Sequence, residues 1–391
     1  MKKKVCVVLT ARPSYSRIKT ALNKLKLNPK IELSIIVSGS LLLNKYGKAI
    51  QVIEKDGFKI HDKIYSVMEG ENLISTTKTT AIQLMELTSV FEKYKPDCVV
   101  TVADRFETLS TAIASAYMNI PLIHIQGGEV TGSIDEKVRH AITKLSDLHL
   151  VSNSKAKERV VKMGEHRKSV IVTGCPSIDL AKLAIKKKPF LNNNMWNSYN
   201  FVGEKFDITS DYLVLMQHPV TTHYKMNHSY MTNLLSAVKQ LDINTLCFWP
   251  NPDAGSDGIS NAIRTFREKK KINNFAFFKN FEPNDFIRLL NGAKCLVGNS
   301  SVGIRECSFL GLPVVNIGER QKGRLKSINI ISCGSSFKDI NLSIKKSLSP
   351  KFNSKLKKFK NYYGNGNASM KAIKILERIN FSKLIKKKFY E

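Results

Sequence analysis

The chain has 391 residues, too long for one ordinary core, and its 62 Lys+Arg against 32 Asp+Glu give a net charge of +30; two domains are the natural expectation. Apolar residues make up 42%, as in soluble globular proteins, and no run approaches the roughly 18–20 apolar residues of a membrane span. The seven cysteines show no CxxC pairing, and with the eight histidines they make no metal-ligand spacing. That composition speaks against a disulfide framework and against zinc, and it fits a reducing, cytoplasmic setting.

The apolar run after Met1-Lys2-Lys3-Lys4 is about six residues, short of the roughly 7–15 of a secretory h-region. Arg12 and Pro13 follow at once, so it reads as a first β-strand. Further strands are expected at 32–38, 97–103, 121–126, 148–152 and 169–174, all short and rich in Val, Ile and Leu. Helices are expected near 15–27, 40–55, 73–94, 106–118, 134–145 and 153–163. Residues 183–210, with Lys186-Lys187-Lys188-Pro189 and Asn192-Asn193-Asn194, read as a linker or insertion. Alternation resumes with strands at 212–217, 244–249, 274–279, 294–298, 313–317 and 328–333. Helices fit near 227–240, 258–270, 283–291, 301–310, 337–347, 351–361 and 367–380. This rhythm predicts an α/β protein of two Rossmann-like domains with ligand in the interdomain cleft. The expected divisions are 1–182, a linker at 183–210, a nucleotide-binding domain at 211–365, and a helix at 366–391 returning to the first domain.

The positive charge has three readings: lysines spread over solvated faces, a field that steers an anionic substrate, or a polyanion or membrane surface. The lysines are dispersed, with mild clusters at 182–188, 269–271, 355–360 and 383–388, and no nucleic-acid-binding motif is present. No nucleic-acid partner and no stable membrane insertion are expected.

The segment from His124 to His140 is the richest in chemistry. It runs from a buried strand through Gly127-Gly128 into a loop holding Glu129, then into a helix carrying Asp135, Glu136 and Arg139. In open α/β sheets, ligands gather at such strand ends. Arg12 follows the first strand, where a guanidinium suits phosphate. Asp104-Arg105 follows another; Asp104 reads either as a base or as a helix N-cap, with Glu107 completing a capping box. His218 sits after the first strand of the second half, placed for a phosphate or a proton. Asn251 and Asp253 lie in another post-strand loop, equally a turn. Gly298-Asn299-Ser300-Ser301 is the strongest phosphate signal, since small polar residues open a helix there. Glu306, about one turn on, is placed for ribose hydroxyls, and Arg320 lies just past the next strand.

Together these segments, with Gly174-Cys175-Pro176-Ser177, Gln217 to Thr222, Arg320 to Arg324 and Gly364 to Ala368, resemble the UDP-N-acetylglucosamine 2-epimerases. The likeness is to the hydrolysing branch, which opens sialic-acid-type sugar synthesis, and it covers nearly the whole chain. It implies a glycosyltransferase-B-type arrangement and conversion of UDP-GlcNAc and water to N-acetylmannosamine and UDP. It implies no metal and no cofactor, and a homodimer or homotetramer. By position it implies Asp104 and Asp135 in proton transfer and His218 near the diphosphate. Arg12, Ser300, Ser301, Glu306 and Arg320 match nucleotide-binding positions, with Asn251 and Asp253 beside them, and Arg105 is grouped with the UDP-sugar contacts. One departure is Gln126, where several relatives carry glutamate. An amide cannot be the base, so Glu129 is the nearest spare carboxylate. Alternatives are the same reaction on a UDP-2,4-diacetamido-2,4,6-trideoxyhexose, a non-hydrolysing epimerase, a glycosyltransferase of the same fold, and a polyanion binder.

Overall fold

The computed structural model describes residues 2–44, 49–70, 72–132, 134–186, 195–251, 253–269, 272–356, 361–384 and 387–390. By internal contacts the chain forms two compact units. One comprises Met1–Glu129, Ile134–Leu180 and Tyr363–Glu391, the other Val130–Ser133 and Ala181–Tyr362.

The first unit is built on β1 (Lys3–Leu9), β2 (Ile31–Ser38), β3 (Asp62–Ile64), β4 (Cys98–Val102), β5 (Leu122–Ile125), β6 (Leu148–Val151) and β7 (Val170–Val172). They form one parallel sheet in the order β3-β2-β1-β4-β5-β6-β7. Alternation along each strand divides its side chains between two cores. Val5, Val7 and Leu9 join one with Ala372, Ile373 and Leu376 of the C-terminal helix Ala368–Arg378. Cys6 and Val8 join the other with Leu87, Phe91, Val138 and Ile142. Cysteine serves here as a small hydrophobe; burial pushes the Cys6 thiol up to about 12.

Polar ties close this unit. Asp179 accepts from the backbone N–H groups of Ala368 (2.8 Å) and Ser369 (2.6 Å), holding the first turn of the last helix. Lys3 Nζ donates to the carbonyls of Leu376, Glu377 and Ile379 at its other end. Lys387 does the same for the helix Asp135–Leu145, donating to the carbonyls of Thr143, Lys144 and Ser146. It also pairs with Glu165 at 2.9 Å. Burial would raise the Glu165 pKa, but hydrogen bonds from His149, Lys144 and Lys387 outweigh it and hold the carboxyl at about 2. A depressed carboxylate stabilises the fold above its ordinary pKa, and that contribution is lost as pH falls through the folded value. Thermal melts taken between about pH 5 and pH 2 are therefore expected to show a steep decline that Glu165→Gln flattens while lowering the neutral-pH midpoint. Superimposable acid limbs would contradict this.

The second unit carries β8 (Phe201–Gly203), β9 (Tyr212–Met216), β10 (Asn244–Phe248), β11 (Phe275–Phe278), β12 (Cys295–Gly298), β13 (Val314–Ile317) and β14 (Ile330–Cys333). The order is β14-β13-β12-β9-β10-β11-β8, with only β8 antiparallel among these strands. The stretch expected as a linker holds this edge strand. Trp196, 5% exposed, packs among Phe201, Phe206 and Phe278. Residues 187–194 of that stretch lie outside the described residues, as do 270–271, 357–360 and 385–386 of the lysine clusters.

The expected strands are present, within about two residues at their ends. The helix expected at 301–310 is two short pieces, Ser301–Ile304 and Glu306–Leu310, broken at Arg305. The helix Pro176–Ala184 forms where only a motif was read. Among the described residues no helix is long and apolar enough to cross a membrane.

Candidate active site

In each unit the candidate residues follow the carboxyl ends of central strands. Strand order reverses between β1 and β4 in the first sheet and between β9 and β12 in the second. Loops diverge at such switch points and open a crevice for ligand.

In the first unit, Arg12 is the first residue of the helix Arg12–Lys26. Burial lowers its pKa to about 10, which leaves it cationic at neutral pH. Asp104 follows β4 and is 7% exposed. Its Oδ2 accepts from Arg139 Nε at 3.0 Å and also from Nη2, while Arg17 Nη1 lies 3.8 Å from Oδ1. The capping-box alternative is not realised: Arg105 is the N-cap and makes no side-chain cap bond. Arg105 instead donates Nε (3.0 Å) and Nη2 (3.1 Å) to Glu107.

Glu129 follows β5 and is 5% exposed. Its Oε1 accepts from Asn153 Nδ2 at 3.2 Å, and its carbonyl accepts from Arg139 Nη1 at 2.9 Å. Asp135 is half-buried at the first position of its helix, where the helix dipole favours a carboxylate. Arg139, fully buried, gathers this cluster and also reaches Glu136 Oε2 at 3.1 Å. Burial opposes its charge, but Asp104, with Asp135 and Glu129, raises its pKa. Gln126, at φ +70°, turns its amide to Cys175 Sγ. Gly128, at φ +72°, meets the Ala156 carbonyl so closely that a Cβ would collide with it.

In the second unit, His218 follows β9. Its N–H donates to Asn299 Oδ1 (2.7 Å) and its carbonyl accepts from Asn299 Nδ2 (2.8 Å). This pair of hydrogen bonds pins the ends of β9 and β12 together. His218 Nδ1 accepts from the Asn251 N–H at 3.3 Å, which directs Nε2 away from that loop. Asp253 lies half-buried two residues on. Ser300 caps the helix Ser301–Ile304, its Oγ accepting from the Val302 N–H at 3.4 Å. Ser301 Oγ accepts from Arg305 Nη2 at 3.0 Å. Glu306 opens the second short helix rather than continuing the first, 3.7 Å from Arg305 Nε. Arg320 Nη1 (3.4 Å) and Gln321 Nε2 (2.9 Å) both donate to the Asn299 carbonyl.

Within the first unit, Asp104 and Glu129 thus converge on Arg139. Within the second, His218, Arg320 and Gln321 converge on Asn299, with Ser300 next to it in the chain and Asn251 bonded to His218. Sequence reasoning placed the strand-end residues but missed Arg139 and Asn299 as organisers. Both lay inside quoted motifs, and their charge or amide beside a strand end was the available signal.

Two Rossmann-like α/β units, each with ionisable groups at its switch point, define a two-unit α/β protein whose strand ends are built to hold ligands. The family model described as UDP-N-acetylglucosamine 2-epimerase matches residues 23–377, so the chain belongs to that family. It is 31% identical over 381 residues to the UDP-N,N'-diacetylbacillosamine 2-epimerase (hydrolyzing) of Legionella pneumophila, covering 97% of each chain. It is 33% identical over 353 residues to the GDP/UDP-N,N'-diacetylbacillosamine 2-epimerase (hydrolyzing) of Campylobacter jejuni, covering 90% of this chain and 89% of that one. The crystal structure of UDP-GlcNAc 2-epimerase from Neisseria meningitidis bound to UDP-GlcNAc superposes with TM-score 0.80 at 20% identity, over 96% of this chain and 100% of that one.

Proposed function

We propose that this chain is a hydrolysing UDP-sugar 2-epimerase that converts UDP-GlcNAc and water to N-acetylmannosamine and UDP. The observation that carries the reading is the buried cluster in which Arg139 holds the Asp104 carboxylate and the Glu129 backbone beside the helix begun by Asp135. Removing a poorly acidic carbon-bound proton needs a carboxylate whose geometry is fixed beforehand.

In this reading a carboxylate takes the C2 proton while the C1–O bond breaks and its electron pair leaves with UDP. The product of that step is a 2-acetamidoglucal. Water then adds at C1, and a proton returns to C2 on the opposite face. Asp104 and Asp135 are the proposed acid–base pair, with Glu129 as third carboxylate in place of the glutamate that Gln126 replaces. His218, Arg12 and Arg320, with the Ser300–Ser301 turn, are assigned to the diphosphate, whose departure cationic and N–H donors stabilise. Glu306, Asn251 and Asp253 are assigned to the nucleoside side. Arg105, with two donors committed to Glu107, supplies charge rather than a bidentate clamp. No step calls for a metal or redox cofactor. The family resemblance also supports a cytoplasmic homodimer or homotetramer.

A second reading, the same chemistry on UDP-2,4-diacetamido-2,4,6-trideoxyhexose, is favoured by what the Legionella and Campylobacter relatives are named for. Both sugars assayed in D2O decide. The proposal expects free UDP and a released 2-epimeric sugar carrying deuterium at C2, and the faster sugar identifies the substrate. A UDP-linked epimer without free UDP would overturn hydrolysis, and no turnover of either sugar would overturn the function.

A further inference from the structure

Ala103, the residue before Asp104, is left-handed at φ +64°, a conformation that alanine rarely adopts. Both of its peptide groups are held from β5. Its N–H donates to the Ile125 carbonyl at 2.9 Å, and its carbonyl lies 2.8 Å from His124 Nε2. His124 is fully buried on β5, paired in register with Thr101. Burial, ahead of the opposing hydrogen bond to Ala103, lowers its pKa to about 3, so the ring is neutral and carries one proton. A carbonyl can only accept, so that proton sits on Nε2 and Nδ1 keeps its lone pair. Thr143 Oγ1, 3.2 Å from Nδ1, supplies the matching O–H. Thr143 is one helical turn from Arg139, whose guanidinium holds the Asp104 carboxylate. One helix therefore fixes the side chain of Asp104 through Arg139, and the peptide that precedes it through Thr143 and His124. Gly127 belongs to the same device. A Cβ there would stand 2.9 Å from His124 Nδ1 and 3.1 Å from Thr143 Oγ1.

We propose that His124 is a positioning residue for the proton-transfer step: its ring locks the Ala103–Asp104 peptide in the left-handed turn that aims the Asp104 carboxylate, and Thr143 fixes the ring. This rests on the assignment of Asp104 to proton transfer. The bland alternative is a core histidine that only satisfies its own polar atoms. The two differ in what they predict. A core role needs volume; a positioning role needs an N–H at the Nε2 position, within reach of the Ala103 carbonyl.

The test compares His124→Met, which fills the volume without a donor, with His124→Gln, whose amide N–H reaches a similar point. His124→Met is expected to lower kcat for UDP release by about 10–100-fold, as sub-ångström to ångström misplacement of a reacting group does, with KM and UDP affinity changed by no more than about twofold. His124→Gln is expected to recover most of that loss. Thr143→Val, which removes the O–H at constant shape, should give a smaller fall in kcat that Thr143→Ser restores. Asp104→Asn is run alongside. If it keeps full turnover, the assignment of Asp104 is wrong and the positioning role falls with it. If Asp104→Asn is inactive while His124→Met and Thr143→Val turn over at the wild-type rate, only the positioning role is overturned. Glutamine performing no better than methionine, with kcat and KM affected together, would also overturn it. Should His124→Met fail to fold, the Thr143→Val and Thr143→Ser pair decides by the same kcat criterion.

Discussion

Asp135→Asn is expected to slow UDP release at least about 10²-fold while UDP binding stays within a few-fold of wild type. The asparagine matches aspartate in shape, so the first turn of the helix Asp135–Leu145 keeps its packing. What disappears is a half-buried carboxylate at a helix N-terminus, and with it the capacity to accept or return a proton. A loss confined to kcat marks an interaction made in the transition state and not in the bound complex. Calorimetry with UDP and a continuous assay of UDP release separate the two quantities. Full turnover would remove Asp135 from the mechanism. A parallel loss of UDP affinity would reassign it to the nucleotide.

Arg139→Met is expected to cost about 3 kcal/mol or more in folding free energy and to lower turnover by at least about 10²-fold. Arg139 is 0% exposed, and its donors reach Asp104, Glu136 and the Glu129 carbonyl. Methionine fills most of the volume but supplies no donor. Asp104, 7% exposed, loses the guanidinium that donates to it at 3.0 Å, and a buried carboxylate stripped of such a partner is strongly unfavourable. Lysine would not repair this, because one ammonium cannot reproduce the guanidinium fork that serves both Asp104 and the Glu129 carbonyl. Urea denaturation of Arg139→Met and Arg139→Lys measures the first expectation. Wild-type stability in Arg139→Met would mean that Asp104 does not depend on this pair.

Local pattern decided the elements and where chemistry could sit. Continuous Val, Ile and Leu runs bounded by turn residues marked the strands buried on both faces, as for Cys98–Val102 and Leu122–Ile125. The helix Leu73–Tyr94 starts where Asn72 caps the Ser75 N–H, a signal contained within four residues. Arg12, Asp104, His218 and Ser300 were legible because each follows closely on a strand, and Asp135 because it opens the helix after the Gly-Gly loop; strand ends and the loops beyond them are where such sheets bind ligands.

Two short edge strands were not legible. Asp62–Ile64 and Phe201–Gly203 lack an apolar pattern and form because a neighbouring strand offers an open edge. The partners of the site residues were equally hidden. Arg139 meets Asp104 across 35 positions, and Asn299 meets His218 across 81. The sequence alone determined the α/β rhythm and the residue types at each strand end. Tertiary structure decided which strands lie side by side, hence that one buried guanidinium serves Asp104 and the Glu129 backbone, and that a histidine on β5 steadies the turn before Asp104. A hydrogen bond is set by position within a few tenths of an ångström, and that position depends on strand order and register, to which a distant residue's identity gives no local clue.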